Sequence, residues 1–137
     1  MAYIAQEGKA KIMAALKAVM PKGWKYSVAI RDHSVVVLTI AQAPIDLIAQ
    51  INAKNAKEAT GRGENLYRVI DGYVQLNHYY LETAFEGEAL EVMEAAKKAL
   101  YSADYYDDSD PQTDYFNCAY YVQMQVGKYD KPFKYVA

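Results

Sequence analysis

Apolar residues between Gln6 and Met20 recur at steps of three and four. Ile12, Leu16, Val19 and Met20 form one stripe and Lys9, Lys11 and Lys17 lie outside it, which predicts a helix. Pro21-Lys22-Gly23 ends it. From Trp24 the period falls to two. Trp24, Tyr26, Val28 and Ile30 alternate with Lys25, Ser27 and Ala29, the pattern of a half-buried strand. Arg31-Asp32-His33-Ser34 is a turn-like break, and the β-branched run Val35 to Ile40 predicts the returning strand of a hairpin.

Pro44 suits the first position of a second helix, where its missing N–H costs nothing. Ile45, Ile48, Ala49, Asn52 and Ala56 would then share a face as far as Glu58. Thr60-Gly61-Arg62-Gly63 breaks that pattern. Asp71-Gly72 stands between Leu66–Ile70 and Tyr73–Asn77, which predicts a second hairpin, with its second strand extended through Tyr80. A third helix is predicted from Gly87 to Tyr101. Leu90, Met93, Lys97 and Leu100 align along it, and Glu94 precedes Lys98 by one turn. The last long alternation places Phe116, Cys118, Tyr120, Val122, Met124 and Val126 on one side of a strand, opposite Asn117, Ala119, Tyr121, Gln123 and Gln125. Gly127 to Pro132 then turns, and Phe133 to Val136 adds an edge strand. This order predicts one α+β domain over residues 1–137, an antiparallel sheet of about five strands with two to three helices packed on one face.

Composition narrows the class. The chain of 137 residues is 53% hydrophobic and 23% charged, globular rather than disordered, and long enough to fold without a disulfide or metal. Cys118 is the sole cysteine, so no internal disulfide forms, which suits a reducing compartment. No run approaches the roughly 18 apolar residues of a membrane span. The start Met1-Ala2-Tyr3-Ile4-Ala5-Gln6-Glu7 lacks the basic-then-apolar order of a signal peptide. The expected location is the cytoplasm of a host cell, away from membranes.

The net charge of -2 conceals a division. Residues up to 60 carry eight basic and four acidic side chains, and the remainder carries seven and thirteen. Asp104, Asp107, Asp108, Asp110 and Asp114 fall within eleven residues that contain no basic side chain, with Tyr105 and Tyr106 among them and Tyr115 directly after. One account is a solvated loop of Asx-turns, with Ser109-Asp110-Pro111 setting its geometry. The other is a partner-binding patch. Carboxylates accept charge-assisted bonds from arginine, and tyrosine offers rigid contact area at low entropic cost. The 14 tyrosines of the chain suit an interface.

Candidate chemistry is sparse. Cys118 lies on the apolar register of its strand, the setting of an inert thiol. His33 sits in a turn, and His78 and Glu82 would share a face only in a helix, where an extended segment is predicted. Two histidines do not build an ordinary zinc site. Asp108, Asp110, Gln112 and Asp114 resemble the opening of an EF-hand loop, but Thr113 replaces its turn glycine and Ala119 its closing glutamate. Gly61-Arg62-Gly63 is too short to cradle a phosphate. No metal, cofactor or enzymatic activity is expected. Lys9, Lys17, Lys22, Lys25 and Arg31, with Trp24 and Tyr26, could form a cationic aromatic platform. The basic residues are dispersed, however, and the pI of about 5.7 makes direct nucleic-acid binding the weaker expectation.

The run Asp107 to Asn117, then Tyr121-Val122 and Gly127-Lys128-Tyr129-Asp130-Lys131-Pro132-Phe133, resembles the large polyvalent-protein-associated domains of phages and conjugative elements. Leu76-Asn77-His78-Tyr79-Tyr80 and Phe85-Glu86-Gly87-Glu88-Ala89-Leu90 fit the same likeness. It covers roughly residues 73 to 136, with a weaker echo in the first helix and Tyr26-Ser27-Val28. The resemblance implies a mobile-element protein acting at first encounter with a host, and it brings no catalytic residues. The expected function is protein–protein binding that inhibits a host defence complex, of anti-CRISPR or anti-restriction type. The tract Asp104, Tyr105, Tyr106, Asp107, Asp108, Asp110, Asp114 and Tyr115 would occupy a basic nucleic-acid-binding surface. The alternative is an accessory, nucleic-acid-associated module of the element's own DNA-processing machinery.

Overall fold

A computed structural model describes residues 4, 6–58, 72–103, 120–128 and 130–136. Helix α1 spans Gln6–Val19. Strands β1 (Lys25–Arg31) and β2 (Val35–Ala43) pair antiparallel as the hairpin that alternation predicts. Asp32 and His33 turn it at φ 53° and 61°, left-handed positions that Asp and His tolerate better than bulkier residues. Ser34 N–H closes the turn on the Arg31 carbonyl at 3.2 Å.

Helix α2 is Leu47–Glu58. It starts later than Pro44 suggests, because Asp46 provides the stronger start: its Oδ1 accepts from the Ala49 N–H at 3.1 Å. The apolar face rotates accordingly. Leu47 and Ile51 are buried, Ile45 and Ile48 are half-buried, and Ala49 is exposed.

The segment expected to run extended through Tyr80 divides. Strand β3 is only Val74–Leu76, and His78–Thr83 is a 3₁₀ helix kinked at Tyr80. Asn77 makes the break, its side chain accepting from the Tyr79 N–H at 3.1 Å. Of the second hairpin, Gly72 is described, at φ 71°. Its partner strand Leu66–Ile70 lies outside the described residues. Helix α3 is Gly87–Leu100, β4 is Tyr121–Val126 and β5 is Lys134–Tyr135.

The sheet is mixed rather than antiparallel. Its order is β1-β2-β4-β3, with β5 also on β2. β2 and β4 run parallel (Val36↔Val122, Leu38↔Met124, Ile40↔Val126), β5 is parallel to β2, and β3 is antiparallel to β4. Alternation specifies which face a side chain takes and is identical for both strand directions. Direction follows from the connection, which carries two α-helices between β2 and β4 and so is long enough for a parallel crossover. The described helices number four with the 3₁₀ turn, one more than expected.

Val28, Leu38, Met124 and their neighbours on the inner face form one cluster with Ile12 and Leu16 of α1, Leu47 and Ile51 of α2, Leu81 and Phe85, and Met93, Ala96 and Leu100 of α3. Phe85, Leu38 and Met93 are wholly buried. Val19 departs from its predicted stripe and is 41% exposed. It lines an open groove together with Ala15 of α1 and Ala95, Lys98 and Ala99 of α3.

Candidate functional site

The expected partner-binding residues Asp104, Tyr105, Tyr106, Asp107, Asp108, Asp110, Asp114 and Tyr115, and also Cys118, lie outside the described residues. The two points between which that tract runs are described, and one side chain joins them. Tyr120, directly before β4, is 1% exposed. Its hydroxyl donates to the Leu100 carbonyl at 2.8 Å and accepts from the Ala103 N–H at 3.2 Å. Residues 103 and 120 are thereby fastened to each other and to the end of α3. The phenol can do this because its position directly before β4 buries the ring and brings its polar tip to a carbonyl at the end of α3.

The end of α3 carries Lys97 and Lys98 in its last turn, where cations complement the helix dipole. Beside it stands a polar group that the extended reading of residues 78–80 concealed. His78 is 9% exposed, and its Nε2 shares a 2.8 Å hydrogen bond with the Tyr101 hydroxyl. The Tyr79 ring lies 4.2 Å from the imidazole at an interplanar angle of 33°, and Lys97 Nζ sits 5.8 Å from the Tyr79 centroid. Burial first, and the Lys97 ammonium second, hold the His78 pKa below its usual 6.5. The imidazole is therefore neutral at pH 7.

This sets a pH dependence with a definite sign. Well above pH 6.5 His78 is neutral in folded and unfolded chains alike and adds no slope. As pH falls below 6.5, the unfolded chain takes up a proton that the folded chain refuses, so stability declines until the folded pKa is reached. NMR titration of the His78 ring should give a midpoint below that of a histidine peptide, and Lys97→Ala should raise it. A midpoint at or above the peptide value would contradict the burial.

The proposed cationic aromatic platform does not assemble. Trp24 is 6% exposed and Tyr26 is half-buried, and both pack with the core. Lys17, Lys22, Lys25 and Arg31 are exposed, and Lys9 is half-buried on α1. His33 stays at the exposed hairpin turn. His78 and Glu82 do fall within one helical segment, yet among the described residues no three of His, Cys, Asp and Glu are placed to hold a metal. No described helix is long and apolar enough to cross a membrane.

Sequence reasoning missed the His78–Tyr101 pair, because its two halves are 23 residues apart and no short motif joins them. No protein-family model, curated protein or solved structure matches the chain.

Proposed function

We propose that the protein acts by binding another macromolecule, as a phage or mobile-element inhibitor of a host defence complex whose nucleic-acid-binding surface is basic. The observation that carries this reading is the stem at Tyr120. One buried hydroxyl ties Leu100, Ala103 and Tyr120 together, so the two residues that flank the tract of five aspartates in sequence are held next to each other. Binding residues are commonly mounted this way, on a segment whose two ends belong to a rigid scaffold. Clustered carboxylates repel one another, and that cost is offset when arginines of a partner donate hydrogen bonds to them. The mobile-element origin and the anti-CRISPR or anti-restriction class rest on the resemblance of residues 73–136. The roles of Asp104, Tyr105, Tyr106, Asp107, Asp108, Asp110, Asp114 and Tyr115 rest on their residue types.

The test is protection in cells. The protein is expressed in bacteria equipped with one defence system at a time, either a CRISPR nuclease or a restriction enzyme, and phage plating is counted. Wild type should restore plating against one system. Asp107→Asn/Asp108→Asn/Asp110→Asn should lose that protection and bind the purified complex about tenfold or more weakly, with a smaller salt dependence. Equal protection by the variant, or none by wild type against any system, overturns the reading.

A further inference from the structure

The exposed edge of α3 has a charge order that is its own complement. Glu88, Glu91 and Glu94 come first and Lys98 last, and all four are exposed. Glu91, Glu94 and Lys98 make no side-chain hydrogen bond or ion pair among the described residues. Beside them runs the groove between α1 and α3, lined by Ala15, Val19, Ala95, Lys98 and Ala99 among others. We infer that this face is where two copies of the chain pair, about a twofold axis that passes near Ala95.

Charge selects the occupant and its orientation. Glu91 and Lys98 are seven positions apart, about 10 Å along the helix, and Ala95 falls near their midpoint. When a second α3 runs antiparallel about that point, Glu91 and Glu94 of one copy come opposite Lys98 of the other. The twofold axis then repeats the contact. A parallel copy would set glutamate on glutamate and align the two helix dipoles, whereas the antiparallel one opposes them favourably. A partner of unrelated sequence has to match this order by coincidence, but a second copy matches it by symmetry.

Shape agrees with charge. Helix α1 lies antiparallel to α3: a β-carbon on Gly8 would meet that of Ala103 at 3.6 Å, and Val19 at the other end shares the groove with Glu94 and Ala95. Ala15 and Ala95 are half-buried, and side chains this small let a second helix approach to about 8 Å between axes. Val19, 41% exposed, then gains a cover that its own chain does not supply. The groove holds about 1060 Å³, above the roughly 300–1,000 Å³ of small-molecule pockets, which suits a ridge of side chains from another helix. Exposed ion pairs fix register more than they add affinity, so the pairing is weak, with a dissociation constant of roughly 100 µM.

None of the five aspartates takes part, so this pairing and the partner-binding reading can fail separately. Sedimentation equilibrium of the full chain between about 10 µM and 1 mM should show monomer passing to dimer, less completely at high salt. On dilution of ¹⁵N-labelled protein, the backbone amides of Ala15, Val19, Ala95 and Lys98 should be among those that shift. Lys98→Glu and Glu91→Lys/Glu94→Lys should each remain monomeric where wild type is half dimeric. An equimolar mixture of the two variants should dimerise again, because each then meets the opposite sign on the other. Ala95→Gln, which fills the axis without changing charge, should weaken pairing about tenfold and serves if a charge-reversed variant does not fold. Wild type that stays monomeric at millimolar concentration, dilution shifts confined to other surfaces, variants that pair as wild type, or folded variants that do not recombine each overturn the assignment.

Discussion

Gly127→Ala should cost the fold about 3 kcal/mol or more, the largest effect expected of any single methyl group added here. Gly127 has φ 71°, a conformation that costs an L-residue roughly 1–2 kcal/mol. A β-carbon there would overlap the Gly72 carbonyl oxygen and come within 2.8 Å of the Phe133 nitrogen. Both are backbone atoms, and they are bonded to each other: Phe133 N–H donates to Gly72 O at 2.9 Å. Neither can rotate away as a side chain would, so relief requires parting the chain where β4, β5 and the approach to β3 meet. Overpacking of this kind typically adds 1–3 kcal/mol. Gly87→Ala is the matched control, since Gly87 has φ 60° with nothing within 4 Å of its would-be β-carbon. Urea unfolding should show a much lower midpoint for Gly127→Ala than for Gly87→Ala, with similar slopes. Equal midpoints would mean that the three chain segments are not in contact.

The second large effect is expected from removing one oxygen. Tyr120→Phe keeps the ring and deletes the hydroxyl that serves the Leu100 carbonyl and the Ala103 N–H. Burial leaves little water to replace it, and an unsatisfied buried group costs about 1–3 kcal/mol. Tyr79→Phe supplies the comparison. Tyr79 is 67% exposed, so its hydroxyl remains hydrated and the change should be nearly neutral. If denaturant midpoints fall alike in the two variants, the Tyr120 bonds do not bear the strain assigned to them. A further consequence joins stability to the proposed function. Tyr120→Phe should weaken partner binding although it alters no aspartate, because both anchors of the acidic tract are loosened.

Legibility in the sequence followed the range of the interactions. The hairpin of β1 and β2 was readable because its signals lie within about twenty residues: a two-residue period, a turn-forming Asp-His pair and a β-branched return. The inward register of β4 was readable for the same reason, and Tyr120, Val122, Met124 and Val126 are all buried. Elements whose boundaries depend on competition between neighbours were misplaced. Pro44 and Asp46 both invite a helix start, and the carboxylate prevails because it supplies a hydrogen bond where proline only avoids a loss. Asn77 diverts a segment whose tyrosines otherwise favour a strand. Strand direction was illegible because a burial pattern contains no arrow. Of the site, composition marked the acidic tract. The stem that fastens its ends depends on a hydroxyl meeting a carbonyl 20 residues away.

The parallel pairing of β2 with β4 also bears on how the molecule is made. Gln125 reaches Thr39 across 86 positions, so the middle of the sheet closes only after most of the intervening polypeptide exists and has been gathered in. Until then β2 has β1 along one margin and a bare row of amides and carbonyls along the other. A nascent chain halted before Tyr121 therefore presents an adhesive ribbon, and helpers that shield such ribbons on the ribosome should raise the yield of this protein.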